Sequence, residues 1–152
     1  MERCDVLIAG GGPAGSTCAS ALRQAGLDVV VVDRSTFPRD KVCAGWITPH
    51  VLTDLRLDAH EYQHGRTFQP FTGFRVGLIG SGGDVDVAYD HPVGFGIRRC
   101  EIDEYLLRRS GARLRLGTPV SSIRREGFLW TVDDRLKAPM LVGATSARWR
   151  EC

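Results

Sequence analysis

No long apolar run occurs in this sequence. The longest are four or five residues, such as Val6-Leu-Ile-Ala9, far short of the roughly 20 that a bilayer span requires. A membrane-spanning helix is therefore not expected, and no segment gives a positive sign of peripheral membrane contact. The chain runs from Met1 into its first apolar stretch within five residues, which leaves no room for a cleavable secretory signal. An excess of one charge is lacking too: 20 Lys and Arg against 18 Asp and Glu give a net charge of +2. That is too little to argue for nucleic acid or an anionic membrane, and half of the eight arginines between Arg98 and Arg125 read as decorating solvated faces. Cysteine pairing motifs are lacking: the five cysteines, Cys4, Cys18, Cys43, Cys100 and Cys152, are odd in number and form no C-x-x-C pair. Neither a disulfide framework nor a zinc site is expected, and a reducing cytoplasm is the default location. His50, His60, His64 and His91 share no metal-ligand spacing and are read as surface or packing residues. With 43% hydrophobic and 25% charged residues over 152 positions, what remains is one ordinary soluble globular domain.

What the sequence does contain is concentrated in its first thirty-four residues. Val6 to Ala9 has the continuous apolar character of a strand buried on both faces. Gly10, Gly12 and Gly15 follow at the G-x-G-x-x-G spacing, with Pro13 and Ala14 between them. Ala19, Leu22 and Ala25 then recur at helical spacing, Gly26 stops the helix, and Val29 to Val32 form a second strand that ends on Asp33. This is a strand–turn–helix–strand unit of about 30 residues with an acid about 20 residues past the glycines, the dinucleotide fingerprint. Gly10 allows a tight exit from the strand, Gly12 lets a pyrophosphate approach the backbone, and Gly15 lets the helix lie close to the strand. Pro13 suits a first helical turn, where its missing N–H would be unpaired anyway. The N–H groups and positive dipole end of that helix would face phosphate. Asp33 is placed to accept hydrogen bonds from ribose hydroxyls, and its charge disfavours a 2′-phosphate even though Arg34 follows.

The next stretch, Ser35 to Pro49, is irregular, with basic residues two apart in Arg39-x-Lys41-x-Cys43-Ala44-Gly45. By default Arg39 and Lys41 are solvated charges and Cys43 is a small packing residue in a buried loop. Beside a pyrophosphate the two cations would instead neutralise charge, Arg as a fork and Lys as a point. This signature resembles that of flavoproteins of the geranylgeranyl reductase family, within the p-hydroxybenzoate hydroxylase-like group. The resemblance implies that the loop, with Ala44 and Gly45, lies along FAD, and that Cys43 faces the flavin and substrate cavity. A second segment, Arg99-x-x-Ile102-Asp103-x-x-Leu106, resembles the Arg-x-x-(Phe/Ile)-Asp-x-x-Leu of the same family, whose arginine contacts FAD. Arg99 is the matching residue, and Arg98 could exchange roles with it. The resemblance also implies a backbone contact to adenine at Val120.

The remaining pattern completes an α/β reading. A short helix is expected within residues 47 to 65, capped by Thr48 ahead of Pro49. Phe74 to Ile79 and Val85 to Tyr89 flank a glycine-rich turn and read as an antiparallel hairpin. Phe68, Phe71, Phe74, Tyr89 and Phe95 are candidates for a cavity lining or for core packing. Ile102, Leu106 and Leu107 mark an amphipathic helix ending at Gly111. Arg113 to Leu116 is a third parallel strand, Val120 to Asp133 a small meander, and Leu136 to Val142 a return to the sheet. The expected fold is a Rossmann-like FAD/NAD(P)-binding fold with a parallel sheet, an inserted hairpin and a meander. Residues 1–144 form the FAD-binding domain, and strands within 68–96 belong to an incomplete substrate domain.

The resemblance covers residues 4 to 144 and then breaks. The family continues with Gly-Ala-Asp-Gly or a close variant, where this chain has Gly143-Ala-Thr-Ser-Ala-Arg148. A permissible set of codons for Ala144 to Cys152, read one nucleotide out of frame, encodes His-Phe-Cys-Pro-Val-Ala-Arg, close to the family's continuation. Residues 145–152 are accordingly expected to be an out-of-frame or irregular tail, with the second flavin motif and the rest of the substrate domain missing. The functional expectation is the FAD-binding portion of a flavin-dependent oxidoreductase acting on a small, apolar molecule. Either C=C reduction or oxygen activation fits, and NAD(P)H is open as the electron donor. Two rivals stand beside it: an NAD-dependent dehydrogenase domain, and a non-catalytic nucleotide-binding fragment.

Overall fold

A computed structural model describes residues 1–80 and 82–145. The expected irregular tail lies, from Ser146 onward, outside the described residues. The chain divides into two compact units, one formed by Met1–Asp40 with the chain from Ile102 onward and the other by Lys41–Glu101.

The first unit begins with strands β1 (Glu2–Arg3) and β2 (Val6–Ala9), helix α1 (Pro13–Gln24) and strand β3 (Val29–Asp33). β2 and β3 are parallel, in the register Val6↔Val29 to Ala9↔Val32. Val6 to Ala9 and Val29 to Val32 are apolar throughout because both faces of the sheet are covered. On one face Val6, Ile8, Val29 and Val31 pack with Ala19 of α1, Phe37 and Leu107. On the other, Leu7, Val30 and Val32 pack with Cys4, Val132, Leu136 and Ala138. The two-residue alternation of a strand thus sends successive side chains into two separate cores. Helix α1 ends as the glycine signal predicts: Gly26 has φ +84°, and the N–H of Leu27 reaches back to the Leu22 carbonyl at 3.1 Å.

The second unit carries β4 (Trp46–Ile47), α2 (Pro49–Asp54), α3 (Ala59–Tyr62), β5 (Phe68–Phe71), β6 (Gly73–Gly77), β7 (Asp84–Ala88) and β8 (Gly94–Ile97). β4, β8 and β5 make an antiparallel sheet, and β6 and β7 form the expected hairpin. Along the hairpin Phe74 pairs with Val87 and Val76 with Val85, while Arg75 and Asp86 form an exposed ion pair on the opposite side. The aromatic residues pack on one another: Phe68 stacks on Phe95 at 4.4 Å, and Trp46 meets both Phe71 and Phe74 edge-on. Two helices stand where the sequence suggested one. Thr48 occupies the N-cap position of α2 but makes no side-chain cap bond. The working cap is Asp58, whose carboxylate accepts from the N–H groups of His60 and Glu61 at the start of α3.

Helix α4 (Arg99–Arg109) leads back to the first unit and to β9 (Arg113–Leu116), β10 (Ile123–Glu126), β11 (Leu129–Val132), β12 (Leu136–Ala138) and β13 (Met140–Gly143). β9 is the third parallel strand beside β3, giving the order β13-β2-β3-β9. The single return segment expected over Leu136 to Val142 is in fact two strands in two sheets. Pro139 bends the chain between them, since it cannot donate to a ladder. β12 extends the meander and pairs in parallel with β1, whereas β13 joins β2. Among the described residues, no helix is long and apolar enough to cross a membrane.

Candidate functional site

The glycine turn sits at the carboxyl end of β2, between the strand and α1. Gly10 has φ +114°, donates its N–H to the Val32 carbonyl at 2.8 Å, and lies so close to Ala144 that a Cβ would come within 2.5 Å of that carbonyl oxygen. At Gly15 a Cβ would collide with the carbonyl oxygen of Gly10 itself, so this glycine brings helix and strand together. Gly12 is different. It is the N-cap of α1, in extended conformation, and the nearest heavy atom to its missing Cβ is Arg39 Nη2 at 3.5 Å. With glycine at the cap and Pro13 next, no side chain serves the first N–H groups of α1, which have no intrahelical partner by construction.

Asp33 lies beside this turn. One carboxylate oxygen accepts from the Gly11 N–H at 2.7 Å and the other from the Ser35 N–H at 2.8 Å. A carboxylate can accept about four hydrogen bonds, so the two backbone donors fix it and leave capacity for two hydroxyls. Arg34, next in sequence, is exposed.

Arg39 corrects the default expectation of a solvated charge. Its Nη1 lies 3.2 Å from Asp103, whose side chain is 0% exposed, and its guanidinium packs 4.8 Å from the centroid of Phe37. Asp103 carried no expected role beyond its place in the Arg99-x-x-Ile102-Asp103 segment. The available signal was an acid on the buried stripe Ile102, Asp103, Leu106 and Leu107 of an amphipathic helix, where a charge stays only if something pairs with it.

The rest of the signature loop, Lys41, Cys43, Ala44 and Gly45, belongs to the second unit, where the backbone at Ala44 and Gly45 and the Arg99 guanidinium lie about the Cys43 thiol. Cys43 is exposed, against the expectation of a small residue packed in a buried loop. The backbone N–H of Gly45, and after it the Arg99 guanidinium, hold its thiol below the usual range for cysteine. Burial does the opposite to Cys4, pushing that thiol up. Iodoacetamide at neutral pH should therefore alkylate Cys43 faster in the folded chain than in the urea-unfolded chain, and Arg99→Ala should slow it in part. Mass spectrometry of the labelled peptides checks both; equal folded and unfolded rates would remove the activation. Lys41 and Ala44 are exposed, and Val120 is partly buried against the core shared with the meander.

Against known proteins, the family model described as FAD binding domain matches residues 3–127. The chain belongs to the FAD-binding domain family. Its sequence is 32% identical over 133 residues to the menaquinone reductase of Mycobacterium tuberculosis, covering 82% of this chain and 32% of that protein. It is 30% identical over 139 residues to the flavin-dependent halogenase ascD of Acremonium egyptiacum, covering 82% of this chain and 24% of that one. The chain thus spans about a third or less of the length of these curated relatives. In fold it resembles a geranylgeranyl bacteriochlorophyll reductase-like protein from Thermoplasma acidophilum, with a TM-score of 0.79 at 20% identity over 95% of this chain and 39% of that one. The halogenase PltM in complex with phloroglucinol and FAD gives 0.75 at 23% identity over 93% of this chain and 34% of that one. The Rossmann-like expectation and FAD as the cofactor of the family are borne out by these likenesses. For this FAD-binding domain, the glycine turn fits a dinucleotide: a helix start without a side-chain cap, a cradle that a side chain at Gly12 would fill, and a cation held beside it.

Proposed function

We propose that this chain holds the ADP half of FAD at the glycine turn, as part of a flavin-dependent oxidoreductase. The observation that carries the reading is the start of α1, where Gly12 leaves the backbone open to an anion and Arg39 is the nearest side chain. Gly10, Gly12, Pro13, Ala14 and Gly15 form the phosphate cradle, Asp33 takes the ribose hydroxyls, and Arg39 neutralises diphosphate charge. Lys41, Ala44, Gly45, Arg99 and the backbone at Val120 are assigned to the cofactor through the geranylgeranyl reductase-like resemblance, Arg34 as the neighbour of Asp33, and Cys43 to lining the flavin site. FAD, when bound, supplies two-electron redox chemistry, and the protein's part is to bind, orient and shield it. The substrate class is a small apolar molecule, reduced at a C=C bond or oxidised with activated oxygen, in the cytoplasm. Residues 1–144 are the FAD-binding domain, with the 68–96 strands contributing to a substrate domain.

The chain purified with excess FAD should keep a yellow absorbance near about 450 nm through gel filtration, as the oxidised cofactor does. A colourless chain with no affinity for ADP would end the reading. Asp33→Ala should weaken ADP binding by about 1–3 kcal/mol, the usual loss for a charge-assisted hydrogen bond. Calorimetric titration with ADP measures it, and an unchanged affinity would place the ribose elsewhere.

A further inference from the structure

We propose that Asp103 is a positioning residue of this site: from the buried stripe of α4 it fixes the Arg39 guanidinium over the start of α1, where the diphosphate is taken. The inference rests on the functional reading just given, and it adds a residue that never touches the ligand.

The argument begins with the cost of the pair. Asp103 is fully buried and Arg39 is 18% exposed, so both charges give up most of their hydration. A buried ion pair is weak support for a fold, because well-packed apolar residues in its place are often at least as stable. The reason to keep one here is where it lies. The guanidinium is a rigid planar fork, so tying one nitrogen and one face fixes the direction of the other nitrogen. Nη1 lies 3.2 Å from the Asp103 carboxylate, an ion pair held by charge rather than by hydrogen-bond geometry, and the guanidinium carbon sits 4.8 Å from the Phe37 ring centroid. Nη2 is then the atom nearest the missing side chain of Gly12. One end of the arginine is anchored in the protein interior, and the other is delivered to the mouth of the helix.

Helix α4 does this with a single face. Asp103 and Leu107 are four residues apart and lie one above the other. Leu107 Cδ2 is 3.1 Å from where a Cβ of Gly11 would stand, with Phe37 at 3.3 Å. The same stripe thus supports the glycine turn at Leu107 and aims the arginine at Asp103. Pro38 and Asp40 on either side of Arg39 are exposed, so without its anchor the arginine would extend toward water.

The test separates anchoring from general support of the fold by using two ligands, ADP and adenosine. Asp103→Asn should bind ADP about tenfold more weakly, the scale of losing one charge-assisted contact, with adenosine affinity unchanged because adenosine has no phosphate for Arg39 to meet. In an Arg39→Ala background the same change should cost nothing further, since the arginine through which it acts is gone. Should Asp103→Asn fail to fold, Arg39→Lys provides a second route. Its ammonium can satisfy Asp103 but cannot also reach the phosphate end, so ADP binding should fall to the Arg39→Ala level. Unchanged ADP affinity in Asp103→Asn or in Arg39→Lys overturns the proposal. So does a parallel loss of adenosine binding, or additive losses in the double variant. Gly12→Val keeps the two readings apart. If it abolishes ADP binding while Asp103→Asn is silent, only the positioning role falls; if it too leaves ADP binding intact, the site itself is wrong.

Discussion

Gly15→Ala is expected to cost the fold about 3 kcal/mol, the upper range for forcing atoms into a packed region. Helix propensity alone gives the opposite sign, because alanine is favoured over glycine inside a helix by about 1 kcal/mol. The collision decides. A Cβ here meets the carbonyl oxygen of Gly10, with the carbonyl carbon at 3.0 Å and the Ala144 side chain at 3.3 Å. None of these is the loose end of a flexible side chain. Gly10 is held by its own N–H bond to Val32, and Ala144 by its N–H bond to the Ala9 carbonyl, both at 2.8 Å. The helix must therefore lift from β2, which loosens Ala19 and Ser16, both buried beneath it. Urea unfolding followed by far-UV circular dichroism measures the loss as a lowered midpoint at constant slope. A midpoint equal to or above that of the unchanged chain would mean that the helix and strand are not in contact at this glycine.

The first unit was largely legible in the sequence because its signals are local. A glycine triplet, a helix stop and two apolar strands fall within thirty-four consecutive residues, and the Leu22 to Leu27 closure shows the stop working as read. The hairpin was legible for the same reason, since its turn and its alternation are adjacent. The parts that escaped depend on residues far apart in the chain. The two-residue strand β1 has no pattern of its own and exists only because β12 lies beside it. The pairing of Arg39 with Asp103 needs the signature loop and a helix that begins about sixty residues later. From the sequence, Arg39 was a candidate phosphate contact with no visible partner in the protein, and Asp103 was one more polar position on a helix. The packing expectation for Cys43 failed differently: a small sulfur-bearing residue is usually buried, and its exposure beside Gly45 and Arg99 follows from loop geometry that composition does not encode. Thr48 had the right chemistry for a cap, yet Asp58 ten residues on does the capping, because a propensity names candidates and the backbone selects among them.

Gly12→Val should leave the fold nearly intact and remove nucleotide binding, the reverse of Gly15→Ala three residues away. The Gly12 backbone has φ −71° and ψ −175°, an extended conformation that valine adopts readily. The nearest atom to its Cβ would be Arg39 Nη2 at 3.5 Å, an ordinary van der Waals distance at the end of a long side chain. Stability should stay within about 0.5 kcal/mol, as for most substitutions that displace no packed neighbour. Binding is another matter. A valine there occupies the space through which a diphosphate reaches the first N–H groups of α1, and it crowds the arginine that would meet the same charge. Losing two charge-assisted hydrogen bonds at about 1.5 kcal/mol each predicts an ADP affinity lower by about a hundredfold or more. Calorimetric titration beside a urea melt reads both halves of this expectation on one sample. Full ADP affinity in a folded Gly12→Val chain would show that the phosphates bind away from the helix start, and the assignment of Arg39, Asp33 and Asp103 to the cofactor would go with it.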